Sequence, residues 1–250
     1  MLVISLLISG LLVSFYPTIR DSAIDFNEYL DAFPPAMKEL FNLANADFSQ
    51  FEIYISVEYL SIFWAMIFFP FIVSWGTQIG RDAERGHMAI TLSYPVKRID
   101  VILAYISDIK LKSLFATTIL IGGIVGFALL IDVEMEYLNW IKYGFVVLLV
   151  MILAGAVTLL TAVFTLSSSK ATYVAIGFLA GGYFLNLMSL LVEKLEFMKY
   201  LSIFYYYGDP SVILIEGSIN WQHMSVLILA IFICFGTTIW VFKGKDLKEG

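Results

Sequence analysis

An all-α polytopic membrane protein is the fold class this sequence predicts, on three observations. The chain is 60% hydrophobic and only 14% charged, with mean hydropathy +0.87. A soluble domain carries about 25% charged residues, so there is too little polar surface here to cover a globule in water. Several apolar runs reach about 20 residues almost without charge, the length that crosses a hydrocarbon core. The basic residues are gathered between particular runs, four of fifteen within RDAERGHMAITLSYPVKR, Arg81 to Arg98.

Six transmembrane helices are expected, at about 2–17, 57–79, 111–131, 141–166, 171–192 and 224–242. The first, LVISLLISGLLVSFY, has no Lys or Arg before it and no A-x-A site after it, so it reads as a retained span rather than a cleaved signal. A polar stretch follows. Its DFNEYLDAF and PPAMKELFNLA pieces suggest short interfacial helices, with Pro35 opening the second and Asp47 or Ser49 capping the next helix. Pro70 lies inside the second span and should kink it. RDAERGHMAITL then predicts a polar helix stopped by Pro95, and Asp108 and Lys110 are placed to pair just before the third span. The acidic loop DVEMEYLNW separates the third and fourth spans, and the SSSK turn, Ser167 to Lys170, separates the fourth and fifth. FYYYGDP, Phe204 to Pro210, is too polar to cross and aromatic enough for the interface, which suggests a partly re-entrant outer hairpin.

Six spans put both termini on one side. That side carries Arg81, Arg85, Lys97, Arg98, Lys110, Lys112, Lys170, Lys243, Lys245 and Lys248, ten of the fifteen basic residues, against Arg20, Lys38, Lys142, Lys194 and Lys199 opposite. The positive-inside rule makes the termini and the RDAERG segment cytoplasmic in a multi-pass protein of the cell membrane. The expected organisation is a single transmembrane domain over 1–250, in contact with lipid and without a nucleotide-binding domain.

Several chemistries lack their signatures. There is no G-x-x-x-x-G-K-[ST], H-E-x-x-H or G-x-S-x-G. His87 and His223 are far apart in sequence, Cys234 is the single Cys, and no basic face suggests nucleic acid. No catalytic, cofactor or metal-binding residue is expected in this chain. Glu58 sits at the edge of the second span, in reach of headgroups. Asn186, Thr158 and Thr161, with Thr165, are the main polar groups inside spans, and the first three are the candidates for a translocation path. Gly122, Gly123, Gly126, Gly155, Gly177, Gly181 and Gly182 are expected at close helix contacts.

The ordered set of features resembles the ABC type-2 transporter permeases, including the bacitracin-exporter and sodium-exporter permeases. Their loop after the second span has an acidic residue, an E-x-G element, a Leu, and then a small residue before P-[VI]-x-R. Glu84, Gly86, Leu92, Ser93, Pro95, Val96 and Arg98 stand in matching places, while Ala89, Arg85 and His87 depart from the pattern. AFPPAMKELFNL, LSIFYYYGDP, WQHMSVLILA and VFKGKDL are similar to further family segments in the same order. The family's cytoplasmic helix before the first span has no counterpart.

The resemblance implies a non-catalytic permease subunit, an exporter working as a pair with a second copy or a related permease. A separate ABC ATPase would hold ATP and Mg. The helix after the second span would be the coupling helix, with Arg81, Asp82, Glu84, Arg85, Gly86, Leu92, Pro95, Lys97 and Arg98 as ATPase-coupling residues. The alternatives are a stand-alone polytopic membrane enzyme or maturation factor, and a permease-like subunit that serves signalling or assembly without transport.

Overall fold

A computed structural model describes residues 2–22 and 47–245, and these are helical, with no strand among them. The expected helices in DFNEYLDAF and PPAMKELFNLA, and the last residues of the tail, lie outside the described residues. The helices in order are α1 (Leu2–Asp21), α2 (Phe51–Leu60), α3 (Phe63–Gly76), α4 (Gln78–Glu84), α5 (His87–Ser93), α6 (Arg98–Leu130), α7 (Tyr137–Thr165), α8 (Ser168–Leu191), α9 (Ile203–Tyr207), α10 (Pro210–Glu216) and α11 (Trp221–Gly244). A 3₁₀ segment, Glu193–Leu201, precedes α9.

By length and composition α1, α6, α7, α8 and α11 each suffice to cross a membrane, and the pair α2–α3 makes a sixth if it is one bent span. That pair differs from a helix kinked at Pro70. Its 45° bend falls between Leu60 and Phe63, while α3 carries Pro70 in its interior. A proline forfeits one ladder bond. At the end of α2 the ladder itself changes: Ser56–Leu60 is π-wound, and the Ser61 N–H donates to the Ser56 carbonyl five residues back at 2.8 Å. Such a bulge displaces every later side chain and is a recognised cause of sharp bends.

Two other local expectations are corrected. Asp47 does not cap α2; its Oδ1 accepts from the Ser49 N–H at 3.0 Å and the Ser49 hydroxyl at 2.7 Å, and Gln50 precedes the helix without a side-chain cap. Asp108 pairs with Lys112 at 2.6 Å, one turn away on the same helix face, rather than with Lys110. Lys110 stands 5.4 Å from the centre of the Phe235 ring. Helix α6 begins at Arg98 instead of near Leu111; at 33 residues it is about 50 Å long, well beyond a hydrocarbon core of about 30 Å.

The chain divides into two compact units. The first comprises Met1–Phe68, Ala116–Val147 and Tyr183–Asn220. Its interior is aromatic: Tyr59, Trp64, Trp140 and Tyr143 are fully buried, and the Trp64 and Tyr143 rings stand 5.6 and 6.1 Å from the Tyr207 ring. The Tyr207 hydroxyl donates to the Leu60 carbonyl, at the last turn of α2, at 2.5 Å. Tyr143 in turn hydrogen-bonds the Tyr207 hydroxyl. Burial raises the Tyr207 pKa well above the usual tyrosine range, so this phenol stays protonated and remains a donor. From α7, the Asn139 amide donates to the Leu214 carbonyl at 3.1 Å and the Lys142 ammonium to the Gly217 carbonyl at 2.8 Å, closing the C-terminal end of α10.

The second unit comprises Phe69–Phe115, Leu148–Gly182 and Trp221–Gly250. Its core is mostly aliphatic, with Ile72, Ile79, Ile102, Ile109, Ala154, Ala156, Ala162, Ala171 and Ala175 buried beside Phe69, Phe235 and Phe242. In lipid, helices gain little from hiding apolar surface from one another, so small residues serve by letting backbones approach. Of the glycines expected at contacts, Gly123 and Gly155 are tight, whereas an added Cβ at Gly122, Gly126, Gly177 or Gly181 would meet nothing within 4 Å.

Tyr207→Phe is expected to lose about 1–3 kcal/mol, because a carbonyl at a buried helix end is left without its donor. Tyr143→Phe should cost less, about 1 kcal/mol, since the Tyr207–Leu60 bond survives. Thermal unfolding of the two variants in detergent checks the order.

Candidate functional site: the seat of the α4–α5 segment

Between α3 and α6 the chain forms two short helices rather than the one polar helix expected. The break is at Gly86, whose φ of +74° is left-handed, a conformation that favours glycine. A Cβ there would meet nothing within 4 Å, so the glycine serves the bend and not a close contact. Helix α5 ends as Pro95 demands: Tyr94, just before it, is extended at ψ 157°, the conformation a following proline imposes.

A stripe of residues four apart runs from the end of α3 along α4: buried Gly76 and Gly80, then exposed Glu84. An added Cβ at Gly76 would lie 2.6 Å from the Thr158 side chain and 3.0 Å from the Gly155 carbonyl of α7. At Gly80 it would lie 2.7 Å from the Ser168 nitrogen and 2.9 Å from the Ser167 carbonyl carbon, in the α7–α8 turn. One turn further on, the Glu84 carboxylate accepts the Ser168 N–H at 2.8 Å. Ser168 opens α8, so its N–H is one of the donors a helix cannot satisfy internally, and a carboxylate there also meets the positive end of the helix dipole.

The turn thus held is tight. Leu166 is left-handed at φ +50°, a conformation that costs a side-chain-bearing residue roughly 1–2 kcal/mol. Thr165 back-bonds to the Thr161 carbonyl at 2.9 Å and the Ser167 carbonyl at 3.2 Å. The Lys245 ammonium donates to the Phe164 carbonyl at 2.5 Å, closing the end of α7. Arg98 Nη1 then donates to the Lys245 carbonyl at 2.6 Å, so the start of α6 and the chain beyond α11 meet at this place.

The remaining polar residues of the segment mostly bond locally. The Arg81 guanidinium donates to the Thr77 hydroxyl at 3.1 Å, the Gln78 amide oxygen at 2.7 Å and the Ser74 carbonyl near the end of α3. Asp82 accepts from the Gln78 amide at 3.0 Å and the Tyr105 hydroxyl of α6 at 2.5 Å, with His87 Nδ1 at 3.8 Å. Arg85, Pro95 and Lys97 are exposed and Leu92 is half-buried. On α5 only Met88 is buried; Ile90 is 60% exposed, and Tyr94 and Val96, just beyond it, are 64% and 45% exposed.

Four of the nine residues singled out from the sequence for contact with a partner therefore spend their hydrogen bonds inside the chain: Arg81, Asp82, Glu84 and Arg98. Gly76, Gly80, Tyr105 and Lys245, which complete the seat, are absent from that set. The G-x-x-x-G spacing of Gly76 and Gly80 was the available signal; nothing local marks Tyr105 or Lys245.

The three candidates for a translocation path are divided between the two units. Thr158 and Thr161 donate to the Ala154 and Val157 carbonyls of their own helix at 2.8 and 2.9 Å, and Thr158 is fully buried. Asn186 belongs to the other unit. No family model matches the chain, and no curated protein or solved structure is significantly similar to it.

Gly80→Ala should cost about 1–3 kcal/mol, because the new methyl meets backbone that has nowhere to move. Gly177→Ala should be neutral or stabilising, by up to about 1 kcal/mol of helix propensity. Melting temperatures of the two variants test the contrast.

Proposed function

We propose that this chain is the membrane-spanning permease subunit of an ABC transporter, an exporter, with α4–α5 as the cytoplasmic coupling segment. The observation that carries the reading is the two-sidedness of that segment. It lies outside every helix long enough to span a membrane, between the bent pair α2–α3 and α6. One side is fixed to the α7–α8 turn by Gly80 and Glu84, while Ile90, Tyr94 and Val96 are left exposed. A helix that receives motion from a soluble partner needs both: an apolar patch for the partner and a stiff seat in the membrane domain. The ordered resemblance to the type-2 permeases points the same way.

In this reading α2–α3 is one bent span, the spans number six, and both termini are cytoplasmic; the ten basic residues this topology gathers on that side support it. ATP and Mg belong to a separate ATPase subunit. A second copy or a related permease completes the membrane part. Nucleotide binding would change the spacing of the two coupling segments and so rock the spans around a path between the permeases. Lys97, exposed beside α6, would meet anionic headgroups.

Purification in mild detergent from the native host should bring down a P-loop ATPase. Ile90→Glu with Tyr94→Glu should cut its recovery at least about ten-fold, as charge in an apolar contact does, while leaving the melting temperature unchanged. Recovery of the ATPase with the double variant at the parent's level, or its absence with intact parent protein, would overturn the proposal.

A further inference from the structure

We infer that Glu84 is a latch that fastens the coupling segment to the α7–α8 turn, so that the segment moves the α7–α8 hairpin directly. This rests on the coupling role proposed above, and it assigns to Glu84 an inward, positioning part in place of contact with the ATPase.

Three observations combine. The seat is backbone against backbone: at Gly80 no side chain intervenes between α4 and the Ser167–Ser168 peptide, so no rotamer can absorb a displacement. The Glu84–Ser168 bond holds the first N–H of α8 at 2.8 Å, and a first-turn donor held from another element ties the direction of the whole helix to that element. The turn is strained at Leu166, and strain of this kind persists only where surrounding contacts fix the backbone. By contrast, the route upward through the segment's own span runs from α4 into α3 through the Thr77 hydrogen bonds and is then broken by the 45° bend between α3 and α2. A push on α4–α5 therefore reaches the α7–α8 turn through the Gly80 backbone contact and the Glu84–Ser168 bond.

The latch and a docking role make opposite demands on residue 84. A latch needs an acceptor of full reach and not a charge, so Glu84→Gln keeps it and Glu84→Asp, one methylene short, loses it. A docking carboxylate needs the charge, so Asp serves and Gln fails. Spin labels at Ile90→Cys and Tyr173→Cys, in a Cys234→Ser background of the full chain in nanodiscs, report how rigidly α5 and α8 are joined. Double electron–electron resonance is expected to give one narrow distance peak for the parent and for Glu84→Gln. Glu84→Asp and Glu84→Ala should lose that narrow peak. Equal widths for the parent, Glu84→Asp and Glu84→Ala, or loss of the peak in Glu84→Gln alone, would overturn the latch. The measurement needs no partner, so its outcome is separate from that of the ATPase purification, whose failure would remove the coupling role and leave the joint itself established or refuted.

Discussion

Backbone polar groups at helix ends must find partners where lipid offers none, and much of this structure follows from that requirement. Long helices satisfy their own interiors. Breaks, turns and termini do not, and at several of them a polar side chain from outside the helix closes the gap. Tyr207 donates at the end of α2, Asn139 and Lys142 at the end of α10, Arg81 near the end of α3, and Lys245 at the end of α7; Glu84 accepts at the start of α8. Several of the charges are thus parts of helix ends. They also place elements, because a side chain that caps a distant helix fixes where that helix stands.

Packing within each unit follows a second rule. In the first unit aromatic rings fill the space between helices, with hydroxyls that reach backbone: Tyr16 donates to the Ser49 carbonyl at 2.6 Å and Tyr54 to the Leu12 carbonyl at 2.9 Å. In the second unit Gly, Ala and Ile bring helices close enough that Gly155 lies against Ile109 and Gly80 against the next turn. Rings give volume and polar reach; small residues give proximity and stiffness. A segment proposed to transmit force is seated in the unit built for proximity.

The proposed function gains a physical division of labour from this. A coupling segment has to bind and to transmit, and one face of a short helix serves one task poorly if it also serves the other. Here the two glycines are buried and the Glu84 carboxylate, though exposed, is bonded to Ser168, while Ile90, Tyr94 and Val96 are exposed. The bend at Gly86 separates the two groups, since it turns α5 away from the line of α4.

The sequence by itself determined the helical class, the long apolar helices and the polar segment that precedes α6, because composition, run length and charge placement act within short stretches of chain. Pro95 ended α5 for the same local reason. Position of the bend in α2–α3 was not legible: Pro70 is conspicuous and Ser56–Leu60 is not, since π-winding depends on how the helix packs. The intrachain partners of Glu84 and Arg98 were not legible, because Ser168 lies 84 residues from Glu84 and Lys245 lies 147 from Arg98. Which side chain closes which helix end is a question of what stands nearby in three dimensions, and only the tertiary structure brings those partners together.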